Sequence, residues 1–424
     1  MDRSSTQLET QTLQYNMTDI DRYRQAKLFG TVLFLLVLFD SLFNYFLQNI
    51  GGRLPVNALA ALFLALGAFK FGMRPLLPPM NILLALVFGF LGFMLGVILI
   101  PETSATQVLS IGSAMCGFFI GFLTTRWAKD TRIDAIAFSF AGGLYVIVCI
   151  FALLEIAPRF FPLINAFWSD NGILRVRPEV TTDQNFQILY LIPAALPLAL
   201  PYRFWQFTIA LAMSAGALFV LARLQTRSGF LVFVALLFLC WIAPLWAKSL
   251  GRNKLLILPL VAVSFVALFF DQILATGSLL ITRFTGGMET GHGRLVSITY
   301  LFQHILDLDW WVPHGNTEFK KIYGAIPHSN ITAMFLEGGI LGLSMWIIVF
   351  VAPLVKLSRV FLASKLDNYG VMIFLGGVAS FVTQLSLNVP FLDQVWLWAG
   401  AVVGAIERSS HDSTTNQDPQ EFVA

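Results

Sequence analysis

The sequence predicts an all-α polytopic integral membrane protein of about twelve transmembrane helices, with one large outer loop between spans nine and ten. Two observations carry this. Of 424 residues, 57% are hydrophobic and only 12% charged, whereas a soluble chain carries about 25% charged residues. A soluble fold of this size has too few polar groups to cover such a surface. The apolar stretches are also continuous and helix-length, not the short alternating segments of barrel strands. In a bilayer, only helices and closed barrels satisfy their own backbone.

Charged, proline and glycine breaks delimit spans near 28–48, 55–69, 80–100, 106–125, 135–157, 186–201, 204–222, 229–247, 255–277, 330–355, 369–388 and 391–407. The second, sixth and last are short for a bilayer that needs roughly 20 residues. The domain plan is a leader over 1–27, spans one to nine over 28–277, a loop over 278–329, spans ten to twelve over 330–407, and a polar, disordered tail over 408–424. The first span ends without an A-x-A-like site, so it reads as a retained anchor.

Basic residues set the orientation. The leader, the tail and the alternate links between them hold 17 of the 27 lysines and arginines, although the opposite side has both long loops, 158–185 and 278–329. The positive-inside rule then puts both termini in the cytoplasm. No basic patch with interleaved aromatics suggests nucleic acid. Cys116, Cys149 and Cys240 all fall in apolar spans, without C-x-x-C spacing. No nucleotide-binding glycine motif is present.

Polar residues gather on the outer side in three clusters. Arg223 and Arg227 stand four apart in the link before span eight, against the charge trend. Guanidinium forks suit phosphate oxygens, and snorkelling at headgroup level is the plain alternative. In the large loop, Leu295, Ile298, Phe302 and Ile305 follow a 3, 4, 3 spacing and predict an amphipathic helix on the membrane surface. Ser297, Thr299, Gln303, His304 and Asp307 point away from that stripe. At the loop's end, Pro327-His328-Ser329-Asn330 precedes span ten, with Ser329 as N-cap and His328 just outside the helix. Glu337 then lies about two turns deep, where a carboxylate needs a polar partner. Gly338-Gly339-Ile340-Leu341-Gly342 permits close helix packing.

Three motifs resemble the O-antigen ligase and polymerase family of bacterial membrane glycosyltransferases. Thr226-Arg227-Ser228-Gly229 is similar to the family's basic turn before a span. His292-Gly293-Arg294, with Tyr300 six residues after the arginine, resembles its loop arginine and following aromatic. His328-Ser329-Asn330, running to Glu337-Gly338-Gly339-Ile340-Leu341-Gly342, resembles its His-Asn element and Glu-x-Gly-x-x-Gly. The likeness covers 223–342 in motifs and the rest in topology alone. His314-Gly315-Asn316 stands where the family has Gly-x-Gly, and His-Ser-Asn replaces His-Asn.

The resemblance implies an inner-membrane enzyme that moves glycan from undecaprenyl diphosphate to an acceptor on the periplasmic face, with no cofactor and no metal. Its partners would be the lipid-linked donor glycan, membrane lipids, and lipid A-core or a growing glycan as acceptor. The loop over 278–329 would be catalytic. Arg227 and Arg294, with Arg223 as a weaker third, would bind the donor diphosphate; His328 would be the base. Glu337 would pair with an arginine or orient the acceptor. Ligation to lipid A-core is the first expectation and polymerisation of repeat units the second. Asp307-Leu308-Asp309 is an Asp-x-Asp string of metal-dependent transferases, read here as a solvated face. The rival from another class is a transporter or lipid-linked oligosaccharide flippase using Asp40, Glu155 or Asp271.

Overall fold

The computed structural model describes residues 25, 29, 31–39, 56–71, 77–100, 105–126, 131–156, 158–161, 163–166, 175–178, 187–199, 204–224, 226–243, 292–324, 326–385 and 392–415. A helical stretch over 31–38 precedes α1 (Val56–Phe71), α2 (Met80–Leu99), α3 (Ala105–Arg126) and α4 (Thr131–Leu153). Next come α5 (Gln187–Ala195), prolonged by a 3-10 turn over Leu196–Ala199, then α6 (Phe204–Arg223) and α7 (Arg227–Ile242). After these follow α8 (His292–His304), α9 (Thr317–Tyr323), α10 (Asn330–Trp346), α11 (Ala352–Leu362), α12 (Asn368–Gln384) and α13 (Asp393–Thr415). The described chain is therefore mainly helical. The exception is an antiparallel ribbon in the first long loop, β1 (Leu163–Ala166) against β2 (Arg175–Pro178), with Leu163 opposite Pro178. The span expected over 255–277, and Asp40 and Asp271 with it, lie outside the described residues.

Among the described residues, two helical stretches are long and apolar enough to cross a membrane: Met80–Leu99, with mean hydropathy 2.8, and Asn330–Leu362, with 2.2. α2 shows one side to the surroundings as an apolar stripe of Leu84, Val87, Phe88, Leu91, Leu95 and Ile98, each at least 40% exposed. A contiguous apolar surface of this kind marks a lipid or protein interface.

Small residues set the helix packing. Gly117 and Gly121 of α3 face Asp393 and Leu397 of α13, while Gly400 and Gly404 of α13 face Phe118 and Phe122 of α3. A Cβ on Gly121 would strike the Leu397 carbonyl oxygen, and one on Gly400 the Phe118 carbonyl oxygen. Both helices thus carry a Gly-x3-Gly ridge, and their backbones meet along it. The pairs advance together along both chains, so α3 and α13 run parallel. By the same reasoning α2 and α10 are antiparallel, since Gly89 meets Met345 whereas Gly96 meets Glu337.

The remaining pairings follow the same alternation. Phe361 stacks on Phe374 and Trp346 binds Gln384, so α12 returns against α10 and α11. Tyr145 stacks on Tyr190 at 5.1 Å, with Gly142 against Ala194, so α5 descends along α4. Gln394 Nε2 donates to Tyr190 Oη at 3.2 Å and to the Val37 carbonyl at 3.2 Å, which ties the two halves of the bundle. One end of the bundle therefore gathers the starts of α5, α7, α10 and α13 with the ends of α2, α6 and α12. At the other end, Arg408 pairs with Asp367 and lies over the Tyr369 ring.

One sequence expectation changes here. The tail was expected to be disordered from residue 408, yet α13 continues through Thr415. A helix already nucleated in a packed segment extends cheaply into polar sequence, and the Arg408 pair anchors that extension. Glu155, read as an intramembrane or membrane-edge carboxylate, is exposed in a turn just after α4, with φ of 54°.

Candidate functional site

α8, the 3-10 turn Leu308–Trp311 and α9 form a cap over the start of α10. Ser297 joins them. Its hydroxyl accepts from the His328 backbone N–H at 3.0 Å, and its carbonyl accepts from Thr332 Oγ1 at 2.9 Å. Arg294 lies one turn before Ser297 on α8, so the cap brings the turn that carries Arg294 against His328. Ser329 takes the N-cap position of α10 as its residue type suggests, although its side chain makes no capping hydrogen bond. His328 is exposed, while Ser329 and Asn330 are fully buried beneath it.

The middle of the cap is aromatic. Tyr300, 1% exposed, meets Phe319 at 5.1 Å, Trp310 at 5.5 Å and Tyr323 at 5.9 Å between ring centroids. Trp310 is stacked between His304 at 4.2 Å and His314 at 4.4 Å. His314 Nδ1 donates to the Val312 carbonyl at 2.7 Å, since a carbonyl can only accept. The expected stripe is thus only half the description of α8. Phe302 is exposed at 69%, but Ile298 and Ile305 are half-buried, and the face pressed inward is Ser297, Tyr300 and Leu301.

α10 breaks at Gly339, with φ 61° and ψ −155°, a conformation that only glycine holds without strain. A Cβ there would also strike the Trp311 carbonyl oxygen. The Leu336 carbonyl accepts instead from the backbone N–H groups of His314 and Gly315, at 2.9 and 2.8 Å. This clasp sets Asn316 beside the last carboxylate before the break, and Asn316 Nδ2 donates to Glu337 Oε1 at 2.6 Å. The partner that the described residues give Glu337 is thus an amide, whereas the arginine pairing expected for it falls on side chains outside the described residues.

The arginines fall as follows. Arg223 ends α6 and is exposed, and Arg227 begins α7 across a three-residue link at the same end of the bundle as His328. The side chains of Arg227 and Arg294 lie outside the described residues. Asp307 caps the 3-10 turn, accepting from the Asp309 N–H at 3.2 Å, and both aspartates are exposed. Sequence reasoning missed Ser297, Asn316 and the break at Gly339. The only signals were a serine beside the loop arginine, an Asn in His314-Gly315-Asn316, and a paired glycine. Comparison of the chain with known protein families and with curated proteins finds no match.

Proposed function

We propose that the chain crosses the membrane about twelve times and transfers glycan from a polyprenyl-diphosphate donor to an acceptor hydroxyl at its outer face, as an O-antigen ligase does. The observation that carries this reading is the Ser297 clasp, because it sets a loop helix bearing Arg294 on the start of the span that bears His328 and Glu337. The reaction needs an anion holder and a base close together. Arg294 and Arg227, with Arg223 as a weaker third, hold the diphosphate oxygens. His328 takes the proton as the acceptor oxygen bonds to the anomeric carbon. The bond from that carbon to the diphosphate breaks, and undecaprenyl diphosphate leaves. Glu337, held by Asn316, orients the acceptor.

The test uses purified full-length protein in nanodiscs with lipid-linked glycan and lipid A-core. His328→Ala lowers turnover by roughly 10²- to 10⁴-fold with donor affinity kept. Arg294→Ala weakens donor use, and Arg294→Lys restores part of it, because ammonium lacks the fork. Normal turnover in a correctly inserted His328→Ala protein would remove the base assignment. Product made on the polyprenyl carrier, instead of on lipid A-core, would make the chain a polymerase.

One observation favours a transport reading instead. Interrupted helices beside a carboxylate form binding sites in carriers, and Gly339 interrupts α10 two residues after Glu337. Movement of intact lipid-linked glycan across sealed vesicles, without transfer, would favour that reading over the enzyme.

A further inference from the structure

A second polar site lies within the bundle, away from His328 and Glu337. Ser380 and Gln384 are four residues apart on α12 and so share one face. Their exposures are 2% and 0%. The orientation of the Gln384 amide is fixed by chemistry. Trp346 Nε1 lies 2.8 Å from one of its terminal atoms, and an indole N–H can only donate, so that atom is the oxygen. Nε2, with its two hydrogens, faces the other way. Neither Gln384 Nε2 nor Ser380 Oγ has a hydrogen-bond partner among the described residues.

Both side chains line a partly open cavity of about 10 Å³, lined otherwise by aliphatic and aromatic groups including Val349, Phe350, Val395 and Val402. That is about the room one water needs. Val349 and Phe350 belong to a π-helical turn, Ile347–Val351, that directly follows Trp346. Such a turn widens the helix and loosens its ordinary i to i−4 pairing, and it recurs where helices carry function. Buried amide and hydroxyl groups left without partners are costly, and an apolar wall supplies none.

We infer that this cavity is a binding site for a single water molecule, which accepts from Gln384 Nε2 and donates to Ser380 Oγ. The lining has no charged group to hold an ion, and the room beside the two polar groups matches a single water. The site joins α12 to the π turn in the same span that presents His328 and Glu337 at its outer end.

The experiment is the thermal midpoint of full-length protein carrying Ser380→Val, read with radiolytic labelling in ¹⁸O water. If the cavity were dry, valine would fill it and remove an unpaired hydroxyl, so the midpoint would rise. If it holds water, valine displaces the water and strands Gln384 Nε2, so the midpoint falls by a few degrees. In the wild-type protein, Phe350 should take up ¹⁸O several-fold faster than Phe118, a fully buried ring in α3 that lies away from the cavity. A rise in the midpoint, or equal labelling of Phe350 and Phe118, would overturn the inference. If the valine variant does not fold, the wild-type labelling decides alone.

Discussion

Asn316 and Glu337 are 21 positions apart, yet they form the shortest side-chain hydrogen bond around the cap, at 2.6 Å. Losing the donor leaves a half-buried carboxylate without its partner, which costs about 1–3 kcal/mol. Asn316→Leu should therefore lower thermal stability in the wild-type background and do much less in Glu337→Met, where nothing needs the amide. Equal losses in both backgrounds would show that the bond contributes nothing. Asp307 gives the opposite expectation. Its side chain caps a turn, a role that asparagine also fills. The double change Asp307→Asn with Asp309→Asn should leave the proposed glycan transfer intact, as should excess EDTA. Loss of activity restored only by magnesium or manganese would make the string a metal site. The position of His328 outside its helix was legible from the order Pro327-His328-Ser329-Asn330, because capping is local chemistry. The partner of Glu337 was not legible, because a loop folding back on a helix leaves no periodic trace.

At the scale of elements, the sequence marked where helices lie better than which face they bury. The 3, 4, 3 spacing in the loop does correspond to α8. However, Tyr300 and Leu301, outside that stripe, are the buried residues packed on α9 and α10, with Ile305 of the stripe joining them only in part. A periodicity shows that a helix has an apolar side, not whether lipid or protein covers it. Gly338-Gly339 was read as a close-packing pair, and Gly338 does pack on the Phe93 ring at 2.8 Å from an added Cβ. The break beside it was invisible, since positive φ is allowed to any glycine and demanded of few. Two substitutions separate strain from collision. Gly324 has φ 69° with open space around it, so Gly324→Ala should cost only about 1–2 kcal/mol. Gly339→Ala adds the collision with the Trp311 carbonyl, and it should destabilise more and open the 311–316 segment to protease. Equal effects would mean that the clasp is soft. Tyr300→Ala should likewise cost the 3–5 kcal/mol typical of a buried aromatic, read as cap proteolysis before bundle unfolding.

For the whole molecule, the described helices put the cap at one end and the Arg408–Asp367 pair at the other, and the proposed twelve-span topology sets those ends on opposite sides of the membrane. Cysteines placed at exposed Gln303 and exposed Lys365 should therefore react oppositely with an impermeant thiol reagent added to intact cells. Gln303→Cys should label from outside, and Lys365→Cys only after the membrane is opened. The native thiols interfere little, since Cys149 and Cys240 are buried and Cys116 is partly so. Labelling of both from outside would break the proposed topology.

The glycine seam between α3 and α13 also has a consequence in time. About 270 residues separate Arg126 from Asp393, so the two halves of the seam leave the ribosome far apart. At about 5–20 residues per second, α3 waits on the order of tens of seconds before α13 exists. Through that interval the backbone ridge at Gly117 and Gly121 lacks its partner and is open to any other helix with small residues. Synthesis thus passes through a stage in which the tightest contact of the mature bundle is a vacancy, and a substitution at Gly400 would be felt first as a failure of assembly, before any failure of chemistry.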